Sequence, residues 1–228
     1  MVKKKISRKE LLKTEDEFIS FSAHLIRFIL TNKRKLSFVC GGFILLVILF
    51  SGIRYVSIQS EKKAFALMES GWTGYQAALQ SQEPQKAYAQ AKADFQSLLK
   101  KYSGKNGGKL ARVLFAGICH NAGEYDQAID LYQRALNDFD DANPLKYFVL
   151  SGLASSYDAK KDLPNALACL ETIVSSADAI LKDEAYFNLG RIYAVLGNTS
   201  KSRESYQKIV SDYSESIYLP LASEKVSG

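Results

Sequence analysis

Histidine and cysteine are scarce in this 228-residue chain, which contains two His and three Cys. Neither His24 nor His120 has a nucleophile or a carboxylate at a spacing typical of a catalytic triad or a metal site. The sequence has no Cys-x-x-Cys pair, and Cys119 and Cys169 fall at helical positions where burial is expected. It therefore predicts a protein that is not an enzyme, with no catalytic residue, no metal and no cofactor. A Cys119–Cys169 disulfide is conceivable only if the domain is exported to an oxidising compartment.

The positive charge is confined to one end of the chain. Residues 1–35 hold ten Lys/Arg and four Asp/Glu, a net charge of +6, whereas residues 55–228 hold 19 Lys/Arg and 20 Asp/Glu, a net charge of −1. Arg54 adds one more positive charge. Because nucleic-acid binding needs a basic surface, the near-neutral balance after Arg54 excludes a nucleic-acid partner for that part of the chain.

One apolar run dominates the N-terminal quarter. The stretch from Leu36 to Ile53 has 18 residues without a charge, which as a helix would span roughly 27 Å, close to the thickness of a bilayer core. It predicts a transmembrane signal anchor over residues 36–56. The excess of Lys/Arg before the run predicts a cytoplasmic N-terminus and a translocated C-terminal domain. A buried core helix is an alternative. A cleaved signal peptide is disfavoured, since 35 residues precede the run and no small-x-small site follows it directly.

The segment before the anchor has helical periodicity. Between Glu15 and Leu30 the apolar residues recur at helical spacing and the polar residues fall elsewhere; the apolar stripe is Phe18, Phe21, Leu25 and Phe28. The pattern predicts an amphipathic helix lying in the cytoplasmic interface of the membrane, within a basic arm over residues 1–35. A docking surface for another membrane protein is the alternative. We expect the helix to break at Thr31 and Asn32.

The remaining chain repeats itself every 36 to 38 residues. Four sets of positions share this spacing. They are Ala91, Ala128, Ala166 and Ser202; Phe95, Tyr132, Leu170 and Tyr206; Leu98, Ala135, Ile173 and Ile209; and Tyr102, Phe139, Ala177 and Tyr213. Self-similarity at such a period indicates stacked helical units.

The repeated unit resembles the tetratricopeptide repeat (TPR) family. Tyr186-x-x-Leu189-Gly190-x-x-Tyr193 and Arg112-x-x-Phe115-Ala116-x-x-Cys119, the latter followed by Ala128 and Tyr132, match the family's W-x2-L-G-x2-Y and A-x3-F pattern with conservative changes. The resemblance implies an all-α fold, in which a single N-terminal transmembrane helix precedes a TPR-like helical-hairpin solenoid of about four repeats. We expect a linker helix over 57–71, the solenoid over 72–216 and a terminal capping helix and tail over 217–228.

The glycine-rich stretch from Lys101 to Lys109 is expected to be a long turn between the first two units. It is not a phosphate-binding loop, because it lacks both the G-K-[ST] ending and a preceding strand.

The family's architecture also implies a binding surface. In TPR proteins the first helix of each unit lines a concave face, and the register assigns to that face Val113, Gly117, His120, Asn121, Phe148, Ser151, Ser155, Asp158, Phe187, Arg191 and Ala194. The set mixes apolar and polar residues and lacks the Lys/Asn arrangement that holds chaperone carboxylates. It predicts binding of an extended polypeptide or a partner helix and no small-molecule substrate. In the alternative, Phe148 and Phe187 only pack within the solenoid.

The layout of arm, anchor and repeat domain resembles the bacterial YfgM-like proteins, which are inner-membrane TPR proteins associated with the protein translocon and periplasmic chaperones. The resemblance implies a protein that binds client or partner polypeptides at the outer face of the inner membrane, with its TPR domain in the periplasm. Two other functions stay open: a scaffold for an outer-membrane or cell-wall assembly complex, and a regulatory subunit that acts through its cytoplasmic arm.

Overall fold

A computed structural model describes residues 8–177 and 180–227, with side chains described from residue 20 onward. The chain forms two compact units, residues 1–58 and residues 59–228. The described ranges contain helices and turns and no β-strand, so the all-α prediction holds for them.

The first unit contains two helices separated by one residue. Helix α1 is Arg8–Thr31 and helix α2 is Lys33–Leu79, of which residues 33–58 belong to this unit. At the junction the Asn32 side-chain amide donates to the Phe28 carbonyl (3.1 Å), and the Thr31 hydroxyl donates to the Arg27 carbonyl. The predicted break is reduced to a single residue, because helical backbone bonds continue on both sides of it: the Asn32 N–H donates to the Phe28 carbonyl at 3.0 Å, and the Leu36 N–H donates to the Asn32 carbonyl at 2.9 Å. Phe18, which begins the predicted apolar stripe, lies outside the described side chains. The part of the basic arm before Arg8 lies outside the described residues.

Helix α2 carries the apolar run. An 18-residue window in it has a mean hydropathy of 2.5, and none of that window is buried by the rest of the protein. A core helix of a soluble protein would be covered by its neighbours, so the exposure is evidence against that alternative. The helix is long and apolar enough to cross a membrane.

The second unit is a series of four helical hairpins closed by a short helix. Residues 59–79 of α2 pair with α3 (Pro84–Tyr102) in the first hairpin. The other three are α4 (Asn106–Asn121) with α5 (Tyr125–Leu136), α6 (Leu145–Ala159) with α7 (Leu163–Ser175), and α8 (Lys182–Val195) with α9 (Thr199–Asp212). Helix α10 (Leu219–Ser227) follows, within the range predicted for a terminal cap.

The repeat registers read from the sequence are the core of these hairpins. All twelve members of the first three registers are buried, with Ala128, Ala166, Ala135, Ile173 and Ile209 at 0 % exposure. Small residues sit in the register of Ala128 because two helices cross closely there. The fourth register is less regular, since Ala177 is exposed while Phe139 is buried.

The first hairpin begins earlier than the sequence pattern indicated. Helix α2 has no interruption near residue 56 or residue 71, where boundaries of the linker helix were expected. Ala64 and Gly71 are already buried in this stretch. One continuous helix therefore carries both the apolar run and the first packing face of the repeats.

The glycine-rich stretch is not the long turn that we expected. Helix α3 ends at Tyr102 and α4 begins at Asn106, so Gly107 and Gly108 lie in the first helical turn of α4, where both are buried. A Cβ on Gly107 would stand 2.6 Å from the Phe65 backbone nitrogen and 2.8 Å from the Ala64 carbonyl carbon. The glycine is needed because α2 passes directly against the backbone of α4.

Three of the turns inside the hairpins share one geometry. In each, the residue after the C-cap has a positive φ, namely Gly123 (81°), Lys161 (65°) and Gly197 (74°). The next amide N–H donates back to a carbonyl five residues earlier, at 2.9 Å for Asp162 to Tyr157 and 2.8 Å for Asn198 to Tyr193. This is the Schellman arrangement, in which glycine is the preferred residue. Lys161 therefore adopts a conformation that costs a residue with a Cβ about 1–2 kcal/mol.

Replacing Lys161 with glycine is expected to stabilise the repeat domain. Relief of the left-handed strain exceeds the extra chain entropy of glycine, about 0.5–1 kcal/mol, so Lys161→Gly should raise the free energy of unfolding of residues 59–228 by about 0.5–1 kcal/mol. Urea denaturation measures the change. The matched variant Gly197→Ala, with the same geometry, should lower it by a similar amount, and equal signs for the two variants would contradict the assignment.

Candidate partner-binding face

The residues assigned to the concave face stand on α4, α6 and α8, the first helices of the last three hairpins. Asn121, Phe148, Ser155 and Ala194 are exposed, and the others are half-buried. Phe148 is 48 % exposed, a large value for an aromatic side chain on a helix that is otherwise packed. Val113 packs against the buried cluster that contains Phe95 and Phe115. We use "first-helix face" for the eleven residues predicted from the register.

The two phenylalanines of the first-helix face differ in their surroundings. Phe187 stacks on Tyr218 with ring centroids 4.7 Å apart and meets Tyr206 edge-on at 5.8 Å. Tyr218 belongs to the segment between α9 and α10. Packing within the solenoid therefore accounts for Phe187 but not for Phe148, whose ring remains available to a partner.

Two side-chain bonds join α6 to α8 on this face. The Ser151 hydroxyl donates to Glu184 Oε1 at 2.7 Å, and Arg191 Nη2 donates to Asp158 Oδ2 at 2.6 Å. The side chains of Arg191 and Asp158 are 42 % and 22 % exposed, so solvent limits the pair to a contribution of about 1 kcal/mol or less. The pair bridges the two helices and leaves little net charge on the face.

A hollow lies between these two helices on this face. Its lining includes Ser155, Asp158, Arg191 and Asn188. The volume of about 10 Å³ holds one water molecule and no side chain. Asn188 lines this hollow but was not assigned to the face by the repeat register. The only indication of Asn188 in the sequence was that a polar residue precedes Leu189, which the repeat pattern places in the core.

His120 is half-buried where α4 meets α6. Its Nδ1 lies 3.0 Å from Ser156 Oγ, and that hydroxyl itself donates to the Gly152 carbonyl at 2.8 Å. Since the hydroxyl proton is committed, Nδ1–H is the donor and Nε2 is left as an acceptor. Burial lowers the pKa of His120, which keeps the imidazole neutral at pH 7. This is the environment of a structural histidine.

The thiols of the repeat domain are unsuited to nucleophilic chemistry. Burial raises the pKa of Cys119 to about 12 and that of Cys169 to about 11, so both remain protonated near pH 7. They are not bonded to each other. Within residues 8–177 and 180–227, no three His, Cys, Asp or Glu side chains are grouped so that they could hold a metal ion.

These hairpins and their shared first-helix face define a TPR solenoid, a class of protein-interaction module. The chain matches the tetratricopeptide repeat-like domain family over residues 33–225, and it belongs to that family. No curated protein matches the sequence.

Solved structures show the same fold at low sequence identity. A tetratricopeptide repeat protein from Parabacteroides merdae superposes with a TM-score of 0.57 and 18 % identity, over 74 % of this chain and 59 % of that chain. BtubC (BKLC) from P. vanneervenii superposes with a TM-score of 0.58 and 14 % identity, over 76 % of this chain and 75 % of that one. The chain thus spans less than two thirds of the Parabacteroides protein. The TPR family is confirmed, and TPR domains bind polypeptide partners.

Proposed function

We propose that this protein is a membrane-anchored TPR protein that binds client or partner polypeptides at the outer face of a bacterial inner membrane, in the manner of the YfgM-like proteins. The observation that supports binding is the first-helix face. Phe148 offers an exposed aromatic surface there, about two helical turns along α6 from the shallow polar hollow of Ser155 and Asn188. Such a surface suits an extended polypeptide that contributes both side chains and main-chain groups.

Anchoring is supported by the uncovered apolar window of α2. The orientation follows from charge: the net charge of +6 precedes the window and the near-neutral domain follows it, so the arm stays cytoplasmic and the repeat domain is exported. Anchoring also assists a shallow face. A site tethered near its partner gains an effective concentration on the order of millimolar, and modest affinity is then sufficient.

Photo-crosslinking in cells tests binding through the first-helix face. A photoactivatable residue at Phe148, Ser155 or Ala194 should label polypeptides of the envelope, whereas the same residue at Lys208 on α9 should label several-fold less. Lys208 is a matched control because its side chain is 50 % exposed, close to the value for Phe148. Arg191 is avoided because its pair with Asp158 joins α6 to α8, whereas the pair of Lys208 with Asp212 lies within α9 alone.

The identity of the labelled proteins separates the functions. Translocon subunits or many unfolded envelope proteins support the proposal. A single outer-membrane or cell-wall assembly factor would favour the scaffold function instead. Equal labelling from Lys208 would exclude the first-helix face as the binding surface.

A further inference from the structure

Helix α1 has a broad apolar face that no other described part of its unit covers. The side chains of Phe21, Leu25 and Phe28 are 66 %, 50 % and 59 % exposed. At 100° per residue, these three and the exposed Ile26, Ile29 and Leu30 occupy an arc of roughly 200° that also contains Ser22, and Ser20, His24, Arg27 and Thr31 occupy the remainder. The uncovered apolar area is on the order of 600 Å², at the upper limit for a surface left in water.

The position of α1 in the chain identifies what covers this face. Thr31, its last residue, precedes the start of the apolar run at Leu36 by five residues, which corresponds to roughly 7–8 Å of helix. If the run spans the bilayer, as the proposed function requires, the end of α1 is held at the depth of the lipid headgroups. Asn32, the one residue between α1 and α2, is the joint at which the chain would turn from the plane of the membrane into the span.

The charges around the joint define the lipid. Residues 20–35 contain Arg27, Lys33, Arg34 and Lys35 and no Asp or Glu, a net charge of +4. Basic residues beside a membrane-inserted helix attract anionic headgroups. A polar face with Arg27 and an apolar face with large aromatic residues is the composition of a helix that lies in the interface plane.

We infer that α1 is a second membrane element, which lies in the headgroup layer with Phe21, Leu25 and Phe28 among the upper acyl chains and its basic residues on anionic phospholipid. This rests on the anchoring in the proposed function. It goes further in assigning α1 its own lipid-binding surface and a preference for anionic lipid.

Tryptophan quenching in nanodiscs tests the inference on the full chain. Trp72, the only tryptophan, lies in the repeat domain and serves as the water-phase reference in the unaltered protein. In a Trp72→Phe background, single variants place tryptophan on the apolar face of α1 (Leu25→Trp), on its polar face (His24→Trp) or in the span (Ile48→Trp). The quencher is phosphatidylcholine brominated near the top or near the middle of its acyl chains, with or without 30 % phosphatidylglycerol.

The expected result is that Leu25→Trp is quenched at least two-fold more than His24→Trp, more by shallow than by deep bromines, and more with phosphatidylglycerol present. Ile48→Trp should be quenched in every lipid. Equal quenching at Leu25→Trp and His24→Trp, or none at either, would overturn the interfacial position of α1 while the anchor stands. If the extent of quenching at Leu25→Trp is the same with and without phosphatidylglycerol, the preference for anionic lipid is overturned. Absence of quenching at Ile48→Trp would refute the anchor itself.

Discussion

Gly107→Ala is expected to lower the free energy of unfolding of residues 59–228 by about 3 kcal/mol, the upper part of the range for overpacking a close contact. The added Cβ would lie 2.6 Å from Phe65 N and 2.8 Å from Ala64 C. Both are backbone atoms of α2, so no side-chain rotation relieves the overlap and the two helices must separate. For a domain of this size the melting temperature should fall by roughly 6–12 °C.

The same substitution weakens a hydrogen bond that joins the two helices. The Gly107 N–H donates to Glu61 Oε1 at 2.9 Å, and it is one of the amide groups at the start of α4 that have no partner within the helix. Glu61 on α2 therefore acts as a cap for α4. Separation of the helices lengthens this bond as well as the apolar contacts beside it.

Gly104→Ala is the matched control for this prediction. Gly104 lies three residues earlier, in the turn before α4, and a Cβ there meets nothing within 4 Å. Reducing the freedom of the unfolded chain should leave stability unchanged or raise it by about 0.4–1 kcal/mol. The melting temperatures of the two variants, measured on residues 59–228, test the prediction. If Gly107→Ala melts with Gly104→Ala, the close approach of α2 and α4 does not exist.

The repeat could be predicted from the sequence because burial recurs at a fixed spacing. Ala128, Ala166 and Ser202 occupy the same crossing in successive hairpins, and the crossing demands a small residue each time. Periodicity of this kind needs no knowledge of which helices meet. It was sufficient to place α4 to α9 and the turns that contain Gly123 and Gly197.

The glycine pair of α4 shows what periodicity leaves out. Two adjacent glycines weaken a helix in water, so the sequence alone favours a turn at Gly107 and Gly108. Gly107 is required by a contact with Ala64 and Phe65, about forty residues earlier in the chain, whereas a Cβ on Gly108 would overlap the Tyr102 carbonyl at the end of α3. The contact of Gly107 with α2 joins distant positions and occurs only once. It leaves no repeating pattern in the sequence, so periodicity cannot predict it.

The binding face was only partly predictable from the sequence, for a related reason. Phe148 and Phe187 stand on equivalent helices and look alike in the sequence. Tyr218, which lies beyond the four hairpins, covers Phe187 and leaves Phe148 exposed. The repeat register assigns residues to a face, but it contains no information on what the terminal segment packs against.

Thiol labelling of intact spheroplasts tests most directly the claim that an anchored repeat domain is exported. Cys40→Ala removes the thiol in the apolar run, and Cys119 and Cys169 should react slowly near pH 7, since burial raises their pKa to about 12 and about 11. A single added cysteine then reports its own compartment to a membrane-impermeant maleimide. Gly104→Cys places one on the repeat domain at an open position, and Ser20→Cys places one on α1.

We expect Gly104→Cys to be labelled in intact spheroplasts and Ser20→Cys to be labelled only after permeabilisation, with both proteins in the membrane fraction. Labelling of Ser20→Cys alone in intact spheroplasts would reverse the orientation. Protection of Gly104→Cys until the membrane is opened would place the repeat domain in the cytoplasm and contradict the proposed function.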